Sequence, residues 1–317
     1  MGRRRLTLAL GLGAGVLVGA AVAQRYRLER RRALRRLLAG SSVLDTARGP
    51  VECAVLGDGP VVLVSHGAAG GYDQGLLIGL PLVAPGFRVL SVSRDGYLRS
   101  PRQAEWSPVT QAERFAALLE VMAIQRVAVL AASAGGPAAL EFARRYPERC
   151  WALVMVSAFS RRLRAPRRSR VPAIVQPLVF RSTFLPWVVL RLARRSIVRA
   201  LGIDPRQMHQ DRTLRLAAEA LLDPVALTPD LRRAGTLLDI NGIATLADFP
   251  LQTVRAPCLV VHGTLDPFVP YDHARRLAQA LPKARLLTVR GGGHLCLLTH
   301  QDDIYPEIVR FLRQHQP

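Results

Sequence analysis

The stretch "VLAASAGGPAAL", residues 129–140, runs as an aliphatic strand up to Ser133 and restarts as a helix pattern within three residues. A serine on such a strand-to-helix corner is lifted above the sheet, with small neighbours so that strand and helix can approach each other. The motif for this turn is G-x-S-x-G, and here Ala131 occupies the first glycine position while Gly135 and Gly136 follow the serine. One methyl at that place still permits the turn where a bulky side chain would not. Read alone, the stretch is compatible with a nucleophile or with an inert serine in a tight turn.

The surrounding chain alternates short β-branched runs with helical patterns. "VECAVL" (51–56) and "PVVLVSHG" (60–67) read as strands joined at "GDG", a hairpin signal. "FRVLSVSRDG" (87–96) is the next strand, and "TQAERFAALLEVM" (110–122) has helical spacing with Thr110 suited to capping its start. "RVAVLAA", "GPAALEFARRYP" and "WALVMVSA" then give strand, helix and strand. The rhythm resumes at "APCLVVHGTLD" (256–266), "YDHARRLAQAL" and "ARLLTVRGGGH", and closes with the helix "DDIYPEIVRFLRQ". Continuous apolar strands alternating with helices predict an α/β protein whose parallel sheet is buried on both faces. Residues 160–250 interrupt the rhythm with an arginine-rich, proline-punctuated helical pattern, expected to be a cap or lid inserted between two sheet strands.

Four features fall at the ends of four strands, where an open parallel sheet places its ligands. Ser133 is the first. "HGAAGG" (66–71) is the second; it can turn a backbone N–H into the site, and Ala68 with Ala134 would make an oxyanion hole. His66 itself is read as structural. Asp266 in "VVHGTLDPFVP" and His294 in "RGGGHL" complete the set. A serine needs a base to become nucleophilic at neutral pH, and that base needs an acid to fix its tautomer. Asp272 and His300 are read as solvated surface groups. Cys296 is read as a structural thiol, and Cys53 and Cys258 as buried ones.

On "HGAAGG", "SRDGYLRS", "AASAGGPAAL", "HGTLDPFVP" and "GGGHL", the chain resembles the α/β-hydrolase superfamily over residues 43–315. The resemblance implies a mostly parallel eight-stranded sheet flanked by helices, with Ser133 as nucleophile, His294 as general base and Asp266 as acid. Arg94 and Asp95 would sit at a structural turn without a chemical role. The core would comprise residues 43–159 and 251–317, and the cap 160–250. The expected reaction is hydrolysis of an ester or related small-molecule acyl substrate, lipophilic esters included. It requires neither a metal nor an organic cofactor. Perhydrolysis or carbon–carbon bond hydrolysis by the same triad, and a non-catalytic binding role, remain alternatives.

A net charge of +21 suggests nucleic acid at first, but the charge is concentrated in two segments. Residues 1–36 hold ten arginines against Glu29, and residues 160–199 hold eleven arginines and no acid. The remainder is close to neutral, no nucleic-acid fold signature accompanies the charge, and no nucleic-acid partner is expected. The four cysteines form no C-x-x-C pair, so neither a zinc site nor a disulfide framework is indicated. Leu6 to Gln24 is an uncharged run followed by seven arginines within a dozen residues. Such a run is expected to be a single-pass membrane anchor with the catalytic domain cytoplasmic, a cleaved secretory signal being the alternative. Gly11, Gly15 and Gly19 give two G-x-x-x-G spacings within it. Val171 to Ile203 mixes large apolar residues with arginines, and is expected to cover the site with its apolar face while the arginines stay in water, contact of that face with anionic lipid being the alternative.

Overall fold

The computed structural model describes residues 2–103, 105–163 and 182–317, with residues 2–16 described as backbone only. Eight strands form one sheet: β1 (Ser42–Leu44), β2 (Val51–Leu56), β3 (Val61–Ser65), β4 (Arg88–Val92), β5 (Val127–Ala132), β6 (Cys150–Val156), β7 (Cys258–Gly263) and β8 (Ala284–Val289). Their spatial order is β1-β2-β4-β3-β5-β6-β7-β8. The sheet is mixed, which corrects the simpler parallel expectation at one edge. β1–β2 and β2–β4 pair antiparallel, and the other five pairings are parallel. The expected hairpin between β2 and β3 does not form. β2 pairs with β4 instead, because both edges of β3 are taken by the parallel partners β4 and β5.

The central strands β5 and β6 are apolar at every position because both faces are covered. Leu63, Val129, Leu153 and Val260 point to one face, where Phe115 of α3 (Pro108–Val121), Phe142 of α4 (Gly136–Arg145) and Leu277 of α9 (Asp272–Ala280) pack on them. Val62, Leu130, Val154 and Leu259 point to the other, against Ile78 of α2 (Tyr72–Gly79) and Ile308 and Phe311 of α10 (Gln301–His315). α3 starts on a capping box: Ser107 Oγ accepts from the Thr110 N–H, and Thr110 Oγ1 accepts from the Ser107 N–H, both at 3.0 Å. Thr110 is thus the third residue of the helix rather than its cap.

Between β6 and β7 the described chain is helical, with α5 (Phe184–Ala200), α6 (Pro205–Gln210), α7 (Arg212–Leu227) and α8 (Arg233–Ala244). Asp204 and Asp211 cap α6 and α7 by accepting from the N–H groups of Arg206 and Leu214. Residues 171–181 of the lipophilic stretch read from the sequence lie outside the described residues.

The expected membrane anchor is overturned. Its sequence belongs to α1, a helix that continues from Gly2 to Ala39 through the arginine cluster. Among the described residues no helix is long and apolar enough to cross a membrane, and the membrane localisation and lipid partner read from the anchor fall with it. The segment read as a basic flank is spent on protein contacts. Arg30 grips Asp230 through two bonds of 2.8 and 3.1 Å, while Glu29 accepts from Trp187 Nε1 at 2.7 Å and from Arg191. Leu37 is buried with Ala54 and Tyr72, and its carbonyl accepts from the Tyr72 hydroxyl at 2.7 Å. Both helix ionic pairs and the aromatic edge contact of Tyr26 on Phe184 (5.1 Å) tie α1 to the inserted helices.

The ends of β3 and β5 meet at Gly135, where an added Cβ would lie 2.3 Å from the Ser65 carbonyl oxygen and 2.6 Å from that of His66. Both are backbone atoms, one at the last residue of the central strand β3 and one at the residue that follows it, so neither can swing aside as a side chain would. Gly135→Ala is therefore expected to lose about 1–3 kcal/mol of stability by overpacking. Urea unfolding measures it, and an unchanged midpoint would show that the two strand ends can separate freely.

Candidate active site

Ser133 is the first residue after β5 and takes φ +49°, a left-handed conformation that costs a non-glycine residue energy. The strain is held by the packing at Gly135 and by the Phe159 N–H, which donates to the Ser133 carbonyl at 3.1 Å. The turn lifts the hydroxyl off the sheet edge toward the loops after β7 and β8. There His294 Nε2 lies 3.1 Å from Ser133 Oγ, and His294 Nδ1 lies 2.8 Å from Asp266 Oδ2. With Nδ1–H donating to the carboxylate, Nε2 is free to accept from the serine hydroxyl. That is the tautomer a general base requires.

The Asp266 side chain is sealed from solvent. Burial alone would raise its pKa, but hydrogen bonds from His262 and His294, the His294 charge and the Val269 N–H together hold it well below the usual carboxylate range. Its other oxygen accepts the Phe268 and Val269 N–H groups at 2.9 Å each. His262, which the sequence reading passed over, stands four residues before Asp266 on β7. Its Nε2 lies 2.9 Å from the Val269 carbonyl and 3.4 Å from Asp266 Oδ2.

Residues 66–70 form the loop after β3 and face Ser133 across the turn. Gly67, Ala68 and Ala69 line the same cavity as Ser133, Ala134 and His294. The Gly67 N–H is engaged by Gln74 Oε1 at 2.8 Å, whereas the Ala68 N–H has no hydrogen-bond partner among the described residues. Ala134 is in the first turn of the helix that follows Ser133, where N–H groups lack intrahelical partners. His66 is fully buried, donates Nδ1–H to the Gly67 carbonyl at 2.6 Å and accepts the Arg94 N–H at 3.0 Å. Burial and the adjacent Arg94 charge push its pKa well below the usual value, so it is a neutral structural group.

The other sequence candidates lie apart. Asp272 is exposed and pairs with Arg275, and His300 is bonded to Thr299 Oγ1 at 2.8 Å. Cys296 is buried and its thiol is pushed up by burial, as Cys53 is to about 11 and Cys150 to about 12. Two buried arginines matter more than the sequence indicated. Arg94, assigned to a structural turn, forms a bidentate pair with Asp239 of α8 at 2.7 and 2.6 Å, and Asp239 also accepts from the Tyr97 hydroxyl at 2.5 Å. Arg232, just before α8, pairs with Asp73 at 3.1 and 2.6 Å. No periodicity marks these two among 44 basic residues.

The cavity above Ser133 measures about 680 Å³. Leu77, Phe159, Leu221, Ile240, Ile243 and Phe268 supply much of its wall, and no lysine or arginine lines it among the described residues. Asp239 reaches it, but its charge is already matched by Arg94. No group of three or more metal-ligating side chains occurs among the described residues.

Residues 60–301 match the family model described as "alpha/beta hydrolase fold". The chain is 26% identical over 264 residues to the uncharacterized hydrolase YcgS of Bacillus subtilis, covering 79% of this chain and 90% of that one. It is 26% identical over 202 residues to a poly(3-hydroxyalkanoate) depolymerase of Ectopseudomonas oleovorans, covering 63% and 66%. Among solved structures, an alpha/beta hydrolase fold protein from Nakamurella multipartita superposes with a TM-score of 0.73 at 28% identity, over 87% of this chain and 98% of that one.

The buried histidines set an acid limit. His273 accepts the Ser160 N–H on Nδ1 at 3.0 Å, and burial with the Arg161 charge depresses its pKa to about 4. A histidine depressed in the folded state contributes stability that is full above the ordinary value of about 6.5 and is lost as pH falls toward 4, because the unfolded chain binds the proton first. Asp95, raised by burial to about 6, acts in the opposite direction over its own window. The difference between wild type and His273→Gln isolates the histidine. Wild-type stability in urea should fall more steeply between pH 6.5 and 4, by up to about 1.4 kcal/mol per pH unit. Parallel curves would remove His273 from the acid response.

Proposed function

The chain belongs to the alpha/beta hydrolase fold family, and from that premise we propose that it is a serine hydrolase cleaving a neutral, lipophilic ester or related acyl substrate. The observation that carries the reading is the unbroken relay from Ser133 Oγ through His294 to Asp266, at 3.1 and 2.8 Å, opening into an apolar cavity. In this reading residues 43–159 and 251–317 form the catalytic core, and residues 160–250 the cap over it.

His294 takes the Ser133 proton as Oγ attacks the acyl carbon, and the tetrahedral oxyanion rests on the N–H groups of Ala68 and Ala134. The protonated His294, stabilised by Asp266, then delivers its proton to the leaving group. Water, deprotonated by His294, releases the acyl group from Ser133 by the same route. A positioned base of this kind contributes about 10²–10⁴-fold, and each oxyanion donor about 10²–10³-fold.

The cavity wall favours neutral substrates. A volume of about 680 Å³ accommodates a medium-chain acyl group or an aryl ester. A substrate carrying a free carboxylate would meet no cation among the described lining residues, since Arg94 is committed to Asp239. This counts against carbon–carbon hydrolysis of an anionic substrate. It also accords with a relative named for depolymerising a polyester, whose scissile groups are uncharged esters.

The test uses p-nitrophenyl octanoate, a monoanionic ester of similar size, and a fluorophosphonate probe on the purified chain. Octanoate turnover is expected to exceed that of the anionic ester, and Ser133→Ala should abolish labelling and lower kcat by at least about 10⁴-fold. A folded wild type that neither reacts with the probe nor turns over an ester would sink the enzyme reading. Labelling that survives Ser133→Ala would assign the nucleophile elsewhere.

A further inference from the structure

Four carbonyls of the loop after β3, those of His66, Gly67, Ala69 and Gly70, are held from behind by buried side chains. Arg94 Nε donates to the His66 carbonyl at 3.0 Å, and Arg94 Nη2 to that of Gly67 at 3.3 Å. Arg232 Nη1 donates to the Gly70 carbonyl at 2.7 Å and reaches that of Ala69 at 3.4 Å. Both guanidinium groups are almost wholly removed from solvent, at 1% and 2% exposure.

A trans peptide is planar, so its C=O and the following N–H point in opposite directions. The peptide joining Gly67 to Ala68 has its carbonyl tied back by the His66 Nδ1–H at 2.6 Å and by Arg94. Its N–H, that of Ala68, must therefore face away from Arg94, on the side where Ala68 lines the cavity with Ser133. Glycine at 67 leaves this peptide free to rotate in the absence of such ties, because glycine occupies both halves of φ space readily. A rotated peptide would present a carbonyl oxygen where an oxyanion has to be stabilised.

The counter-charges cross between two parts of the chain. Arg94 comes from the loop after β4 and its partner Asp239 from α8, whereas Arg232 comes from the inserted segment and its partner Asp73 from α2. Resting on the serine-hydrolase reading above, we propose that Arg232 and Arg94 are positioning residues that set the oxyanion loop. The inserted segment thereby acts on the loop that carries the Ala68 N–H, through Arg232 on the Ala69 and Gly70 carbonyls and through Asp239 on Arg94, as well as covering the substrate. Neither arginine touches the reacting atoms; each acts through the loop backbone.

Arg232 is the residue to test, because its partner Asp73 is partly exposed and tolerates the loss of its cation, whereas Arg94→Met would strand Asp239 in the interior. The measurements are kcat and KM on p-nitrophenyl octanoate, and the inhibition constant of an alkyl trifluoromethyl ketone, which forms a tetrahedral oxyanion adduct with serine. For Arg232→Met, kcat should fall and the inhibition constant rise together by about 10–100-fold, with KM within about threefold, as removal of oxyanion support requires. Arg232→Lys should restore part of both, since one ammonium can hold the Gly70 carbonyl without the bidentate grip on Asp73. Thermal unfolding and circular dichroism verify folding. Should Arg232→Met not fold, Arg232→Lys and Asp73→Asn carry the same comparison. Unchanged kcat, a loss residing wholly in KM, or unchanged ketone affinity alongside reduced kcat would overturn the proposal. A wild type inert toward both ester and fluorophosphonate would instead remove the reading on which it rests.

Discussion

β3 and β5 run side by side and in parallel, with Val64 opposite Leu130 and Ser65 opposite Ala131, and their ends close on one another at Gly135. The approach is tight enough that the Gly135 backbone packs directly on the carbonyls of Ser65 and His66, and Ser65 Oγ donates back to the Gly135 carbonyl at 3.1 Å. The consequences follow from geometry. Ser133 is driven into a left-handed turn, the N-terminus of α4 is aimed over the strand ends, and the loop of residues 66–70 is brought beside the serine. Ala131 fits because its methyl group points into the core shared with α3 and α4, away from the turn, and is fully buried there.

Around this junction charge is paired in the interior, Arg94 with Asp239 and Arg114 with Asp95, and at its margin, Arg232 with Asp73 and Arg99 with Glu52. Such pairs are weak sources of stability, since desolvation offsets most of the attraction. Their geometry is the more informative property. Arginine's planar fork satisfies a carboxylate on one edge and backbone carbonyls on another, which a lysine cannot do. Arg114 spans Asp95 and the carbonyls of Arg48 and Pro50, and Arg99 spans Glu52 and Ser41. The basic composition of the chain thus has an interior component, in which arginines join segments distant in sequence, beside its exposed one.

α1 illustrates how far hydropathy reaches. A run of uncharged residues followed by arginines has the composition of an anchor and its flank, and composition cannot register that Glu29, Arg30 and Leu37 each have a partner waiting on the folded domain. The antiparallel β2 had a similar fate. "GDG" is a sound turn signal, but whether a turn closes a hairpin depends on which strand edges remain open, and those of β3 were filled by β4 and β5.

The α/β alternation, the strand that leads into Ser133, and the placing of Ser133, Asp266 and His294 after three different strands were all legible in the chain alone. These are local properties: apolar runs buried on two faces must be continuous, and the triad proposed above admits few residue types. Packing alone brings His262 to Asp266, docks α1 on the fold, and sets Arg94 and Arg232 behind the loop. Arg94 and Asp239 are 145 residues apart, and Arg232 and Asp73 are 159. Pairing over such separations is set by where the sheet and the inserted helices bring side chains together, and neither residue of a pair carries any mark of the other in its own neighbourhood.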